Sequence, residues 1–149
     1  TTARPDGNPV VIRVVAEQFA WNVHYPGADG HFGDTSLSLV SDTNPIGLDR
    51  SSPFGKDDLV TPGELHLPVN RPVIIELSSK DVIHSFGIPA MRVKQDVIPG
   101  LRSSVWFTPT MAGQFEVVCS QLCGVGHYRM RAVITVESDD AFRQFLRGQ

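Results

Sequence analysis

The sequence has little cysteine, no long apolar run and almost no excess charge, and each shortage removes a class of function. Its only cysteines are Cys119 and Cys123, too close together to close the long loop from which a stabilising disulfide draws its largest entropic effect. A disulfide-stapled scaffold is therefore excluded, and local thiol chemistry is expected instead. No stretch approaches the roughly eighteen consecutive apolar residues of a membrane-spanning helix, and Thr1-Thr2-Ala3-Arg4-Pro5-Asp6-Gly7 forms no signal peptide. The chain is expected to be soluble as it stands, and the missing initiator methionine suggests that a segment such as a membrane anchor was removed upstream. Thirteen basic against sixteen acidic residues leave a net charge of −3, the wrong sign for neutralising phosphates, so no nucleic-acid partner is expected. Internal repeats are absent, and so is the Cys-x-x-Cys-His of covalent haem attachment.

What is present is a chain of 149 residues, 41% of them hydrophobic, which suits one globular domain over residues 1–149 with a core that needs no staples. Ile12, Val14 and Ala16 alternate in one phase, and Phe19, Trp21, Val23 and Tyr25 in the opposite phase. This pattern predicts strand with a bulge or bend at the slip. Residues 26–60 are rich in Gly, Asp, Ser and Pro and read as a turn-containing insertion to which the sequence assigns no function. Further strands are predicted over Glu64–Val69, Val73–Ser79, Ser103–Phe107, Gly113–Val118 and Met130–Glu137. Short, closely spaced strands without intervening helical periods predict an all-β antiparallel sandwich or barrel rather than a βαβ fold. Only the end reads as helix: Ser138 as cap, Asp139-Asp140 in the first turn, and Ala141, Phe142, Phe145 and Leu146 as an apolar stripe. The other acidic pair, Asp57-Asp58, is expected to be solvated.

Chemistry concentrates between Val118 and Met130, where Cys119, Cys123, His127 and Met130 gather two thiols, an imidazole and a thioether in one turn-forming loop. This is a soft-metal donor set. Carboxylates are absent from the loop, which disfavours calcium and magnesium, and the thioether favours copper over zinc. His84, in Asp81-Val82-Ile83-His84-Ser85-Phe86, is the best further strong ligand, because it follows an apolar strand where a turn-rich stretch opens. Phe115, Val117 and Cys119 share one strand phase, as do Met130, Ala132, Ile134 and Val136, so Cys119 and Met130 are predicted to face inward as their strands enter and leave the loop. A local disulfide, plain buried thiols or a zinc site would use the same residue types. His24, His31 and His66 lack companion ligands and are expected to be solvated or hydrogen-bonded, and Met91 and Met111 to be packing residues.

The spacing Cys-x-x-x-Cys-x-x-x-His-x-x-Met, with its upstream histidine, resembles the CuA motif of cytochrome oxidase subunit II in the haem-copper terminal oxidase family. The resemblance extends to Gln18-Phe19-Ala20-Trp21, Pro62-Gly63-Glu64-Leu65 and Lys94-Gln95-Asp96-Val97-Ile98-Pro99-Gly100, and covers most of Val10 to Glu137 except the insertion. It implies a cupredoxin-like Greek-key β-sandwich or barrel with a short C-terminal helix, holding two copper ions as a binuclear CuA centre. Cys119 and Cys123 would bridge the metals, His84 and His127 would each bind one, and Met130 and the backbone carbonyl of Gln121 would be weak ligands. Electrons would come from cytochrome c or a similar soluble donor and pass to haem in oxidase subunit I, which reduces dioxygen to water. The isolated domain would make no bonds. It would lie on the outer, periplasmic face of a bacterial plasma membrane, joined to an N-terminal anchor.

Two positions depart from the family's commonest form. Gln121 stands where Glu is usual, removing a charge that would help hold a magnesium ion against subunit I. Phe19 stands where a Trp usually receives electrons from cytochrome c, so either the donor differs or Trp21, otherwise a core anchor, takes the role. Rival functions remain on these residues. A mononuclear blue-copper carrier would use Cys123, His127, Met130 and His84 and leave Cys119 idle. A copper chaperone or thiol oxidoreductase would use Cys-x-x-x-Cys, usually on a βαβ scaffold that the pattern here does not support. The copper domain of nitrous-oxide reductase has a similar loop but comes with a large catalytic domain that has no counterpart here.

Overall fold

The computed structural model describes residues 9–26, 31–41, 43–53, 55–119 and 130–147. Ten strands follow in order: β1 Val10–Glu17, β2 Ala20–Tyr25, β3 Leu59–Pro62, β4 Glu64–Pro68, β5 Val73–Ser79, β6 His84–Ile88, β7 Val93–Val97, β8 Ser103–Phe107, β9 Gly113–Cys119 and β10 Arg131–Glu137. One helix, α1, spans Asp139–Leu146. The strands form two five-stranded sheets, ordered β3-β2-β1-β5-β8 and β4-β10-β9-β6-β7. This is a cupredoxin-like β-sandwich.

Three expectations about the strands need correction. The phase slip after Ala16 is neither bulge nor bend: the chain reverses at Gln18-Phe19, and β1 and β2 pair antiparallel with Ala16 opposite Trp21. A two-residue reversal preserves inward alternation on both sides while shifting its phase. The sheets are also mixed rather than purely antiparallel, because β1 pairs parallel with β5 and β4 parallel with β10. Each successive strand reverses direction, so strands an even number of steps apart run parallel when the crossings between sheets make them neighbours. Gly63 makes one such crossing at φ 72°; its N–H reaches Trp21 O in one sheet and its carbonyl accepts from Val133 N in the other. Finally, the stretch after Ile83 is not turn-rich loop but β6 and, after a short 3-10 turn, β7.

The core lies between the sheets. Ile12, Val14 and Ala16 from β1, Trp21, Val23 and Tyr25 from β2 and Val73, Ile75 and Leu77 from β5 meet Leu65, Leu67, Phe86, Val117, Ile134 and Val136 from the other sheet. The C-terminal helix forms as expected: Ser138 Oγ accepts from Ala141 N at 3.1 Å, and Asp139 and Asp140 occupy its first turn, where carboxylates favour the helix dipole. Its buried Phe142 joins the core, and Phe145 stacks on His66 at 3.7 Å between ring centroids.

The 26–60 stretch covers the outer face of β2. His24 and Asn22, which face away from the core, are buried all the same. Asp58 is buried too, contrary to the expectation of a solvated pair; its carboxylate meets His24 Nε2 at 2.7 Å and accepts from Gly33 N at 2.6 Å, and Arg50 donates to its backbone carbonyl. Phe32 closes over His24 edge-on at 4.8 Å and receives the Arg13 guanidinium on its face at 4.1 Å. The insertion is thus anchored by an imidazole–carboxylate contact under an aromatic lid. Burial lowers the pKa of His24 more than the hydrogen bond and charge of Asp58 raise it.

An unfolded chain takes up a proton near the ordinary histidine pKa of 6.5, whereas folded His24 resists it until lower pH. Stability therefore falls as pH drops below about 6.5 through this window. His24→Gln is expected to flatten that part of the pH dependence relative to the parent chain, as read from urea-unfolding midpoints across the range.

Candidate metal centre

One end of the sandwich gathers the termini of β1, β5, β7 and β9 and the starts of β2, β6, β8 and β10, as the strand registers require. His84 opens β6 and Cys119 closes β9. The two strands pair there with Phe86 opposite Cys119 and Gly87 opposite Val118. Gly87 permits this close approach, since a Cβ at that position would lie 3.3 Å from Val118 O. Both site side chains are buried, and His84 Nδ1 stands 4.0 Å from Cys119 Sγ. Ser85 N approaches the same sulfur at 3.5 Å.

The other nitrogen of His84, Nε2, lies 2.9 Å from Asp81 Oδ1. That carboxylate also accepts from Val82 N at 2.7 Å and, through Oδ2, from Gln18 N at 2.7 Å. Burial raises the Asp81 pKa, but the Gln18 N–H, the His84 ring and the Val82 N–H together outweigh it and hold the group below the ordinary carboxylate value. A carboxylate that already accepts two backbone N–H groups accepts from Nε2 as well, which leaves Nδ1 turned toward Cys119.

Met130 precedes β10. Because Arg131 sits opposite Val118, continuing the register sets Met130 opposite Cys119. Its residue is buried, and its carbonyl accepts from the Trp21 indole N–H at 3.2 Å. Trp21 packs edge-on to His84 at 6.0 Å and to Phe86 at 5.5 Å. With only 1% of its surface exposed, Trp21 is a core anchor beneath the site and has no face with which to meet a donor. Among the described residues, an exposed aromatic at this end is Phe19, at 39%.

The described ligand candidates fit a metal. A nitrogen about 2.0 Å and a thiolate about 2.3 Å from one first-row ion stand about 3.5 Å apart at a tetrahedral angle, so the two side chains, 4.0 Å apart here, need only close by about half an ångström to share one ion. Of the six predicted site residues, His84, Cys119 and Met130 converge at one end of the core, while Gln121, Cys123 and His127 lie outside the described residues. Asp81 was missed by the sequence reading, although Asp-x-x-His at the opening of a strand was there to be noticed. His24 and His66 are hydrogen-bonded to carboxylates away from this end, as expected of histidines outside the site.

The structure is thus a cupredoxin-like sandwich with an imidazole and a thiol buried side by side at one end. The family model "Cytochrome C oxidase subunit II, periplasmic domain" matches residues 10–137, and the chain belongs to that family. It is 40% identical to the alternative cytochrome c oxidase subunit 2 of Bradyrhizobium diazoefficiens over 139 residues, 93% of this chain and 50% of the relative. It is 31% identical to cytochrome c oxidase subunit 2 of Cereibacter sphaeroides over 149 aligned residues, 92% of this chain and 48% of the relative. The chain thus spans about half the length of these relatives. The crystal structure of the periplasmic domain of subunit II of cytochrome oxidase from Bradyrhizobium japonicum superposes with a TM-score of 0.71 at 28% identity, covering 98% of this chain and 96% of that one. Among the described residues no helix is long and apolar enough to cross a membrane.

Trp21→Phe keeps an aromatic ring beneath the site but removes the donor to the Met130 carbonyl. The expected cost is about 1–3 kcal/mol of stability, the range for depriving a buried acceptor of a partner, measured by equilibrium urea unfolding of the metal-free protein.

Proposed function

We propose that this chain is the electron-receiving, copper-binding domain of subunit II of a haem-copper terminal oxidase. It takes one electron at a time from a separate carrier, a c-type cytochrome or similar donor, and delivers it to haem in subunit I, where dioxygen is reduced to water. The observation that carries this reading is the buried His84 Nδ1–Cys119 Sγ pair at one end of a sandwich of the subunit II family. Cys119 and Cys123 are the proposed bridging ligands, His84 and His127 the proposed imidazole ligands, and Met130 and the Gln121 carbonyl the proposed weak ones. Held by these residues, two copper ions would supply a centre able to gain and lose one electron with little rearrangement of the protein.

The chain's own contribution is rigidity and exclusion of water. Cys119 and the backbone of Met130 are fixed by adjacent strands, His84 is held through Nε2, and Trp21 and Phe86 fill the space beneath. A donor set fixed before an electron arrives needs little rearrangement afterwards. Cysteine is required rather than serine because the metal stabilises a thiolate at neutral pH, and an alcohol would not ionise comparably. At the same end, Phe19, Ile83, Ile98 and Leu101 are exposed, giving an apolar rim suited to docking protein partners. On this reading the domain works on the outer face of the plasma membrane.

The test is copper content per chain after reconstitution, together with the electron paramagnetic resonance spectrum. Two coppers with hyperfine structure from both nuclei are expected. One copper with hyperfine structure from a single nucleus would make the chain a mononuclear carrier, and no copper uptake would return the cysteines to thiol chemistry. Cys119→Ser is expected to abolish the two-copper spectrum, and Gln121→Ala to leave it largely intact, since only a backbone carbonyl is used there.

A further inference from the structure

Asp81 is the one charged side chain described in contact with a proposed ligand, and its hydrogen bonds tie together three segments. Its Oδ1 accepts from His84 Nε2–H and from Val82 N, and its Oδ2 from Gln18 N. The backbone N–H of Asp81 bonds Ser79 Oγ at 3.3 Å, and that hydroxyl donates to Val82 O at 2.6 Å. The β5–β6 connection is therefore closed on itself around the carboxylate. Lys80, the nearest cation along the chain, is directed elsewhere, to Glu17 Oε2 at 3.1 Å and Pro45 O at 2.7 Å, so the Asp81 charge is left to the imidazole and two backbone amides. The His84 side chain is fully buried, whereas that of Asp81 is 32% exposed. The carboxylate thus links a buried ligand to the surface turn that carries Phe19.

We propose that Asp81 is a positioning residue for the metal centre: it fixes His84 in the Nε2–H tautomer with Nδ1 aimed at Cys119, strengthens that nitrogen as a donor, and couples the ligand to the Gln18-Phe19 turn. The inference rests on the copper reading for its electronic part but not for its tautomeric part. A ring free to rotate about its χ angles would present either nitrogen. A carboxylate on Nε2 removes that choice before metal arrives, and a negatively charged acceptor makes the opposite nitrogen more basic. The held ligand lowers the reorganisation that binding and electron transfer would otherwise require.

Two variants separate charge from hydrogen bonding. Asp81→Asn retains an oxygen that accepts from Nε2–H and removes the charge, while Asp81→Ala removes both. In the metal-free parent protein, nitrogen-15 spectra of the His84 ring are expected to show the Nε2–H tautomer, preserved in Asp81→Asn and mixed with the Nδ1–H form in Asp81→Ala. After copper loading, affinity is expected to fall about 10–100-fold in Asp81→Ala, the range for loss of an outer-shell partner. The reduction potential is expected to rise in both variants because a negative charge beside the centre is lost. If Asp81→Ala does not fold, the potential of Asp81→Asn decides the electronic part. An Nδ1–H tautomer in the parent, or a potential unmoved in Asp81→Asn, overturns the proposal. A parent protein that shows the Nε2–H tautomer yet binds no copper overturns the functional reading and the electronic part together, while supporting the positioning of His84.

Discussion

The short antiparallel contact between β6 and β9 is the constraint on which the site depends. Among the described residues two pairs define it, Phe86 with Cys119 and Gly87 with Val118, and it sets the start of one strand against the end of another. Without it His84 and Cys119 would belong to separate loops. The residues around it serve that contact: Gly87 leaves room for the neighbouring backbone, Phe86 turns into the core against Trp21, and Trp21 reaches across to bind the Met130 carbonyl. The result is that the described donors, His84, Cys119 and Met130, are held at strand ends, and strand ends are positioned by a ladder of hydrogen bonds and a packed core. A buried thiol and a buried imidazole are costly to solvate poorly. Placing them 4.0 Å apart, with Ser85 N on the sulfur and Asp81 on the ring, gives each a partner when no metal is present.

Much of this was legible in the sequence, and what was missed has physical causes. β5 and β8 fall on their predicted residues and β4, β9 and β10 differ by a single residue at one end, because each carries clear inward alternation. The inward phase of Cys119 and Met130 follows from the same alternation and is observed. β3 and β7, both edge strands, escaped notice because each lacks a clear apolar run. β3 is four residues long and ends on Pro62; β7 reads Val-Lys-Gln-Asp-Val, with charged residues of the kind that protect an exposed edge from pairing further. β6 was obscured by its own specialisation, since a buried histidine, a buried serine and a close-approach glycine occupy three of its five positions. Its site made it look unlike a strand.

The insertion shows a different limit of sequence reading. Its Gly, Pro, Asp and Ser composition describes turns correctly, but composition cannot say which surface those turns lie against. The answer depends on Asp58 meeting His24 across thirty-four residues, a pairing that neither residue announces locally. Covering β2 also changes what its alternation means. His24 and Asn22 read as outward-facing polar residues, and they are, but outward here means toward a second buried layer. A polar residue on the outer face of a sheet is therefore weak evidence of exposure when a long connection is available to cover it.

The two buried histidine–carboxylate contacts make the last step of the argument. His24 meets Asp58 at 2.7 Å and His84 meets Asp81 at 2.9 Å, so the pairs are alike in chemistry and near-alike in distance. Their surroundings differ. At His24 the ring is roofed by Phe32, the carboxylate is occupied by Gly33 N and the contact pegs a surface layer in place. At His84 the second ring nitrogen faces a thiol at the end of a strand, and the carboxylate remains partly open to solvent. What separates the two pairs is thus not the histidine–carboxylate contact as such but the surroundings of each ring. One contact pegs a surface layer in place; the other holds a ring whose second nitrogen faces sulfur, and that difference is set by which end of the sandwich each strand delivers its histidine to.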